Sequence, residues 1–202
     1  GGFDVCPPDG RPRRLTLGLA GRHNALNAVA ALAASAAAGV DVESGLAALA
    51  RFGGVKRRLE LRGTVAGIAV YDDFAHHPTA VAATIDALKR RIGGGRLVAV
   101  LEPRSNTMRA GVHRAELGAA LDGADLVWLH QPPGLGWDLA EATLALGERR
   151  RIAGHVAGLI DELVASLRSG DHVLIMSNGG FEQIHTRLLA ALEARHRHAQ
   201  QQ

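Results

Sequence analysis

Apolar and polar positions in the first quarter of the chain predict one strand followed by two helices. Residues 13–19 alternate as a half-buried strand does, and residues 22–38 are helix-forming throughout, up to the helix-ending Gly39. A second helix over about 41–51 is opened by Asp41, which suits a helix cap, and it has apolar residues at helical spacing. This region is therefore predicted to be mainly helical.

Beyond a glycine-containing break at residues 52–54, strands and helices alternate regularly. Strands are predicted over 57–62, 66–72, 97–102, 125–130, 151–155 and 172–177, the first two joined by a tight turn at Gly63. Helices are predicted over 78–91, 111–121, 138–147, 158–168 and 181–196, followed by a frayed tail. Continuous apolar strands alternating with helices indicate an α/β fold with a doubly wound, mostly parallel sheet, and we place a domain boundary at the break.

Three polar loops follow the carboxyl ends of predicted strands. The first polar loop spans residues 72–77, the second spans 102–109 and the third spans 177–182. In open parallel sheets, ligands bind beyond the carboxyl ends of the strands. We therefore expect the three loops to meet on one edge of the sheet and to form the binding site there.

The first polar loop carries Asp72, Asp73, His76 and His77 directly before Pro78, which suits the first turn of a helix. One aspartate could simply cap that helix. Four titratable side chains exceed what a cap requires, however, and a carboxylate is well suited to the paired hydroxyls of a ribose. The adjacent histidines lack the i, i+4 spacing of a helical zinc pair, so we predict ligand contact and no metal site.

The second polar loop groups Arg104, Ser105 and Asn106 before a predicted helix start, an arrangement that suits a carboxylate or a phosphate. A solvated loop is the alternative. In the third polar loop, paired glycines permit close backbone approach, and the carboxylate of Glu182 could meet an ammonium group or favour the helix dipole. An ordinary strand-to-helix turn is the alternative there.

Two segments outside these loops carry polar groups of interest. Asn24 and Asn27 are three residues apart and share a helix face, and asparagine can both donate to and accept from a purine edge. Helix capping explains only one of them. Residues 54–60 (GVKRRLE) place three cations before a strand, and a solvated basic turn is the alternative interpretation of that cluster.

Composition and charge narrow the class of partner. The net charge of +3 comes mainly from scattered arginines without clustered aromatic residues, which argues against a nucleic-acid surface. A single cysteine, Cys6, excludes an internal disulfide and suits a reducing cytoplasm. No apolar run reaches the roughly 20 residues that cross a membrane. Neither GxxxxGK[ST] nor a strand-following GxGxxG occurs, so any nucleotide is bound without a phosphate loop in this chain.

The order of five motifs resembles the last part of the Mur ligases, which are ATP-dependent amide-forming enzymes of bacterial cell-wall synthesis. The motifs are GRHNALNAVAALAA, GVKRRLE, YDDFAHHPTAV, LEPRSNTM and MSNGGFE, within about residues 13–194. DDFAHHP is shared with members that add L-alanine to UDP-N-acetylmuramate. LEPRSNTM and SNGGFE resemble more narrowly the members that attach the recycled murein tripeptide L-alanyl-γ-D-glutamyl-meso-diaminopimelate to that sugar.

The resemblance implies a domain order. Family members have a UDP-sugar domain, a central ATPase domain and a C-terminal Rossmann-like domain, so residues 1–52 are expected to end the central domain and 53–202 to form the C-terminal one. The phosphate loop, the modified lysine and the Mg²⁺ ligands of the family are expected upstream. ATP and Mg²⁺ are thus implied cofactors of the full-length enzyme, and this fragment alone is expected to be inactive. Alternatives are an alanine-adding ligase or a non-catalytic nucleotide- or peptide-binding module.

The resemblance also implies roles for single residues. Asn24 and Asn27 resemble adenine-pocket asparagines, and Arg58 resembles an arginine that contacts ATP phosphate. Asp73 resembles the carboxylate that holds the ribose, with the histidine pair of the first polar loop beside it.

On the amino-substrate side, Arg104 resembles the arginine that grips the substrate carboxylate, with Ser105 and Asn106 in the same motif. Glu182 resembles a glutamate that meets the diaminopimelate ammonium group in a related ligase. No catalytic residue is assigned in this chain.

Overall fold

The computed structural model describes residues 2–7, 10–19 and 21–201. The chain divides into two compact units, Gly1–Lys56 and Arg57–Gln202. The assignment of these units to a central and a C-terminal ligase domain stays a prediction.

The first unit contains a two-stranded sheet and two helices. Its elements are β1 (Gly2–Val5), β2 (Arg13–Thr16), α1 (Arg22–Ala37) and α2 (Val42–Ala50), and β1 pairs with β2 in antiparallel orientation. The prediction that Asp41 opens the second helix is confirmed, since its carboxylate accepts hydrogen bonds from the backbone N–H groups of Glu43 and Ser44. A small apolar cluster that includes Leu15, Leu32 and Leu46 is buried within this unit.

The second unit is built on a six-stranded sheet with the order β3-β4-β8-β5-β6-β7. Its strands are β3 (Glu60–Val65), β4 (Ile68–Asp73), β5 (Leu97–Leu101), β6 (Leu126–His130), β7 (Arg150–Ala153) and β8 (His172–Met176). Its helices are α3 (Pro78–Ile92), α4 (Asn106–Arg109), α5 (Arg114–Leu121), α6 (Leu139–Ala142), α7 (Val156–Ser166) and α8 (Ile184–Gln200). Only β3 is antiparallel to its neighbour, so the predicted mostly parallel sheet is confirmed.

The position of β8 creates a switch in the winding of the sheet. The chain runs from β4 through α3 to β5 and onward in one direction, and α7 then carries it back so that β8 is inserted between β4 and β5. The general right-handedness of such crossovers predicts α3 and α5 on one face of the sheet and α7 and α8 on the other, and the packing of α3 on α5 and of α7 on α8 agrees with this. The chain therefore leaves β8 toward one face of the sheet and leaves β4 and β5 toward the other. Open sheets of this kind bind ligands at the carboxyl ends of the strands where the winding switches in this way.

The predicted turn at Gly63 is wrong. The turn lies at Ala66 and Gly67, whose φ angles of 49° and 78° match a two-residue hairpin connection. Gly63 lies inside β3 at a shift in strand register, where an added Cβ would come within 3.2 Å of Leu189 on α8. This glycine therefore serves close packing of the helix and not reversal of the chain.

Two predicted helices and the tail also differ. The helix predicted over 138–147 ends at Ala142, and a 3₁₀ turn with a left-handed Gly147 (φ 57°) follows it. The helix predicted over 111–121 begins at Arg114, after the separate short α4. The tail predicted to fray is helical up to Gln200.

Candidate binding edge at the carboxyl ends of β4, β5 and β8

The three polar loops lie together on one edge of the sheet. The backbone N–H of Ser177 donates to the carbonyl of Asp73 at 3.2 Å, and the N–H of Glu102 donates to the carbonyl of Met176 at 3.1 Å. The buried hydroxyl of Ser177 donates to the Glu102 carboxylate at 2.6 Å and accepts from the N–H of Gly179 at 2.9 Å. Hydrogen bonds thus join the third polar loop to both of the others.

Asp73 is buried, and both of its carboxylate oxygens are used within the fold. Oδ2 accepts from the backbone N–H of Leu59 and Oδ1 from that of Ala75, each at 2.8 Å, and the hydroxyl of Thr84 lies 3.4 Å away. Burial raises the pKa of Asp73, although these donors and Arg58 oppose the shift. A carboxylate oxygen can accept two hydrogen bonds, and Oδ2 accepts one from the described residues, so these contacts do not decide the ribose role, which stays a prediction.

The neighbouring Asp72 is also buried, but basic side chains lie against it. The Nε atom of Arg57 lies 3.4 Å from Oδ1, and Nε2 of His185 lies 3.2 Å from the same oxygen without the alignment of a hydrogen bond. Burial alone would raise the pKa of Asp72, but contact with His185 and the charge of Arg57 outweigh it, and the pKa is lowered. Asp72 is therefore an ionised anchor for Arg57.

The histidine pair organises the loop that leads into α3. His77, and not an aspartate, caps the helix: its Nδ1 accepts from the backbone N–H of Thr79 at 3.3 Å. The alternative of an aspartate cap is thus wrong, because Asp73 is turned inward. Nδ1 of His76 lies 2.9 Å from the carbonyl of Phe74, and His77 packs edge-on against His113 with ring centroids 4.2 Å apart.

The two adjacent arginines before β3 have different surroundings. The guanidinium of Arg57 is half-buried and donates from Nη2 to the carbonyls of Ser177 at 2.5 Å and Gly179 at 2.9 Å. Arg58 is exposed, lies 5.8 Å from the ring centroid of Phe74 and donates no hydrogen bond within the described ranges. Arg58 is thus the member of the pair that can meet a ligand.

Arg104 is exposed where the second and third polar loops meet. A Cβ added to Gly179 would lie 2.5 Å from its Nη1 and 2.6 Å from its Cδ, so the arginine side chain rests on the glycine. Its guanidinium donates no hydrogen bond to any residue that the structure describes. Beside it, the Ser105 hydroxyl accepts from the N–H of Met108 and caps α4, and Asn106 is exposed at the helix start.

Glu182 lies on the rim of this edge in a strained turn. Phe181, Glu182 and Gln183 have φ angles of 43°, 46° and 57°, a run of left-handed residues that costs on the order of 1 kcal/mol or more for each. Buried Phe181 and Ile184 hold the turn in place. The exposed Glu182 carboxylate pairs with Arg187 at 2.9 Å. A substrate ammonium group that met this carboxylate would therefore share it with Arg187.

Asn24 and Asn27 lie on α1 of the first unit, half-buried and exposed respectively. They share one helix face, as predicted, and their adenine role stays a prediction.

Neither a metal-binding cluster nor a membrane-spanning helix is found in the described part of the chain. Within residues 2–7, 10–19 and 21–201, no three His, Cys, Asp or Glu side chains are grouped to hold a metal ion. None of the helices in these ranges has the length and apolar character that crossing a bilayer requires.

Sequence reasoning missed four residues that shape this edge. Arg57 is indistinguishable by type from the arginine beside it, and only the contacts separate them. Glu102 and Ser177 lie in the predicted loops, and their signal is position: each directly follows an apolar strand. His130 ends β6 in the same way and is buried. Its Nδ1 lies 3.9 Å from the Glu102 carboxylate and has no hydrogen-bond partner in the described part of the chain, and its ring lies 5.5 Å from that of Phe181.

The sequence profile described as "Mur ligase, glutamate ligase domain" matches residues 57–179. The chain belongs to the Mur ligase family. This match spans more than half of the chain and falls within the second unit, which contains the three polar loops.

Individual relatives of this Mur ligase chain agree with the profile. It is 47% identical over 175 residues to the UDP-N-acetylmuramate–L-alanyl-γ-D-glutamyl-meso-2,6-diaminoheptandioate ligase of Escherichia coli, covering 86% of this chain and 38% of that protein. It is 38% identical over 193 residues to a UDP-N-acetylmuramate–L-alanine ligase of Mycobacterium sp. (strain JLS), covering 91% of this chain and 40% of that protein. The chain thus spans about two fifths of the length of these relatives.

A solved structure shows the same fold. The crystal structure of a murein peptide ligase from Psychrobacter arcticus matches with a TM-score of 0.72 and 41% identity, covering 90% of this chain and 39% of that one.

Proposed function

We propose that this chain is the C-terminal part of an ATP-dependent ligase that joins UDP-N-acetylmuramate to L-alanyl-γ-D-glutamyl-meso-diaminopimelate in cytoplasmic peptidoglycan recycling. The observation that carries the proposal is the exposed Arg104 guanidinium seated on Gly179 at the carboxyl edge of β5 and β8. An arginine fork without internal partners suits a substrate carboxylate. The higher identity to the tripeptide-adding relative than to the alanine-adding one supports the choice of substrate.

The nucleotide side of the proposal uses the segment before β3. Arg58 presents a fixed positive charge beside Phe74 and has no hydrogen-bond partner among the described residues, so it fits a phosphate group. Asn24 and Asn27 are the proposed adenine contacts, described within the first unit alone. No described carboxylate cluster fits Mg²⁺, and we assign no ligand of the metal to this chain.

The chemistry assigned to this chain is binding and orientation. A carboxylate and an amine do not condense unaided in water, and bound ATP supplies the activation of the carboxylate. Arg104, with Ser105 and Asn106 next to it in the chain and Glu182 in the third polar loop, holds the tripeptide so that its amine reaches the activated carbonyl. Correct orientation of two reactants is worth many orders of magnitude in rate, and Arg58 stabilises negative charge on the phosphate.

The proposal is tested with the full-length protein, by amide formation from UDP-N-acetylmuramate and ATP with either the tripeptide or L-alanine as amine. Arg104→Ala is expected to raise the tripeptide KM about 10- to 100-fold, the equivalent of a charged hydrogen bond, with little change in the ATP KM. The matched control is Arg114→Ala, which removes an exposed arginine from the start of α5. Preference for L-alanine, or an Arg104→Ala effect confined to ATP, would refute the proposal.

A binding module without chemistry is the second candidate, and calorimetry of this 202-residue chain separates the two. The ligase proposal predicts weak ATP binding, because the chain contains no phosphate-loop sequence. Micromolar ATP affinity of this chain alone would favour the binding module.

A further inference from the structure

The side chain of Arg57 connects the two halves of the candidate site, and it has no role in the function proposed so far. We infer that Arg57 is a positioning residue that couples Arg58, on the phosphate side, to the third polar loop, on which Arg104 is seated. The inference rests on the proposed function, because it takes Arg58 to meet ATP and Arg104 to meet the amino substrate.

The guanidinium of Arg57 fixes the third polar loop at two points. Its Nη2 donates to the carbonyls of Ser177 and Gly179 at 2.5 and 2.9 Å, and its Nε lies 3.4 Å from the Asp72 carboxylate. A planar fork with permanent charge can hold three acceptors in one fixed arrangement, whereas an ammonium group acts as a single point. The Ser177 hydroxyl also accepts from the Gly179 N–H, so the loop has little freedom while Arg57 is in place.

The backbone around Arg57 is held as firmly as the side chain. Arg57 and Leu59 have φ angles of 59° and 49°, in the left-handed region that non-glycine residues rarely occupy. Three hydrogen bonds of 2.8 Å hold this backbone conformation. The N–H of Arg57 donates to the Glu60 carboxylate, the N–H of Phe74 donates to the Arg57 carbonyl, and the N–H of Leu59 donates to Asp73 Oδ2. A conformation that is unfavourable in isolation persists only when its surroundings impose it.

Arg58 is joined directly to this fixed segment. The guanidinium carbons of Arg57 and Arg58 lie 5.2 and 5.8 Å from the centroid of the same Phe74 ring. A phosphate that draws Arg58 toward itself therefore pulls on the residue next to Arg57. The side chain of Arg57 in turn holds the third polar loop, on which Arg104 rests. Such a link is reciprocal, so ATP tightens the tripeptide seat and the tripeptide favours ATP.

Hydrogen exchange of residues 177–183, measured by mass spectrometry on the full-length protein with and without a non-hydrolysable ATP analogue, tests the coupling. In the unmodified protein the analogue is expected to slow exchange of this segment at least about fivefold. Arg57→Lys keeps the charge but not the fork, and it is expected to reduce that protection to less than about twofold. Arg62→Lys is the matched control: Arg62 approaches the same Asp72 carboxylate at 3.8 Å, and no hydrogen bond joins it to the loop in the described part of the chain.

Each outcome decides between coupling and its absence. Protection that persists in Arg57→Lys, or that is lost equally in Arg62→Lys, overturns the inference, as does an analogue that binds the unmodified protein without slowing exchange. A full-length protein that binds no analogue by calorimetry refutes the proposed function instead. In that case the basal exchange of residues 177–183 still judges the positioning role, because Arg57→Lys must accelerate it relative to Arg62→Lys, and equal rates overturn it.

Discussion

The seat of Arg104 on Gly179 makes the substitution Gly179→Ala a sharp test of the candidate site. The new Cβ would lie 2.5 Å from Nη1, 2.6 Å from Cδ and 2.8 Å from Cζ of Arg104. Ordinary contact begins at 3.4 Å, so the guanidinium must move by about 1 Å. Because Arg104 is an exposed and flexible side chain, we expect it to move away without unfolding the protein.

The expected effect is therefore on function and not on stability. Gly179 does not have a left-handed φ, so alanine is permitted there, and the change is expected to alter the free energy of unfolding by less than about 1 kcal/mol. A displacement of 1 Å in a substrate-positioning group can lower the rate by about 100-fold. We expect kcat/KM for the tripeptide to fall by one to two orders of magnitude, roughly as for Arg104→Ala.

Gly180→Ala is the matched control. It adds the same methyl group one residue later, at φ −79° and ψ −17°, where no atom lies within 4 Å of the new Cβ. Steady-state kinetics with varied tripeptide and urea unfolding of both variants provide the comparison. If Gly179→Ala has unmodified tripeptide kinetics, or if both substitutions impair them equally, Arg104 does not use this seat.

Three further predictions follow from other contacts. Arg58→Ala in the full-length enzyme is expected to raise the ATP KM about tenfold with little effect on the tripeptide KM, and a change confined to the tripeptide would contradict the assignment. Asp41→Ala removes the cap of α2 and is expected to cost about 1 kcal/mol in urea unfolding, with the exposed Glu193→Ala as control. The pKa of Asp72 is lowered in the folded state, so its ionised form contributes stability above its ordinary pKa of 3.8, and that contribution is lost as pH falls below this value. Urea midpoints between pH 6 and 3 should therefore fall more steeply for the unmodified chain than for Asp72→Asn, and parallel curves would show that the pairing with Arg57 and His185 does not matter.

The sheet and its binding edge could be predicted because they depend on patterns repeated along the chain. Apolar strands followed by polar loops identify the carboxyl edge without any knowledge of contacts. The hairpin turn could not be located in this way, because Gly63 and Gly67 both lie between β-forming residues. The choice between them depends on pairing with β4 and on the packing of Leu189, which is distant in sequence.

Side-chain direction within the site was also beyond sequence reasoning. Arg57 and Arg58 are chemically identical neighbours, and the left-handed backbone at Arg57 separates an internal arginine from an exposed one. Arginine gives no sign in sequence of such a conformation. Likewise, the inward turn of Asp73 depends on Leu59 and Ala75 as donors, and it leaves the helix cap to His77.

The two strands at the margins of the sheet bear on how the protein behaves at high concentration. β3 is interrupted by the register shift at Gly63 and has Arg62 beside it, and β7 is only four residues long and begins with Arg150 and Arg151. Short, irregular or charged outer strands discourage intermolecular pairing of backbones. Self-association into β-aggregates is thereby opposed at both ends of the sheet, even though its central strands are mostly apolar and buried.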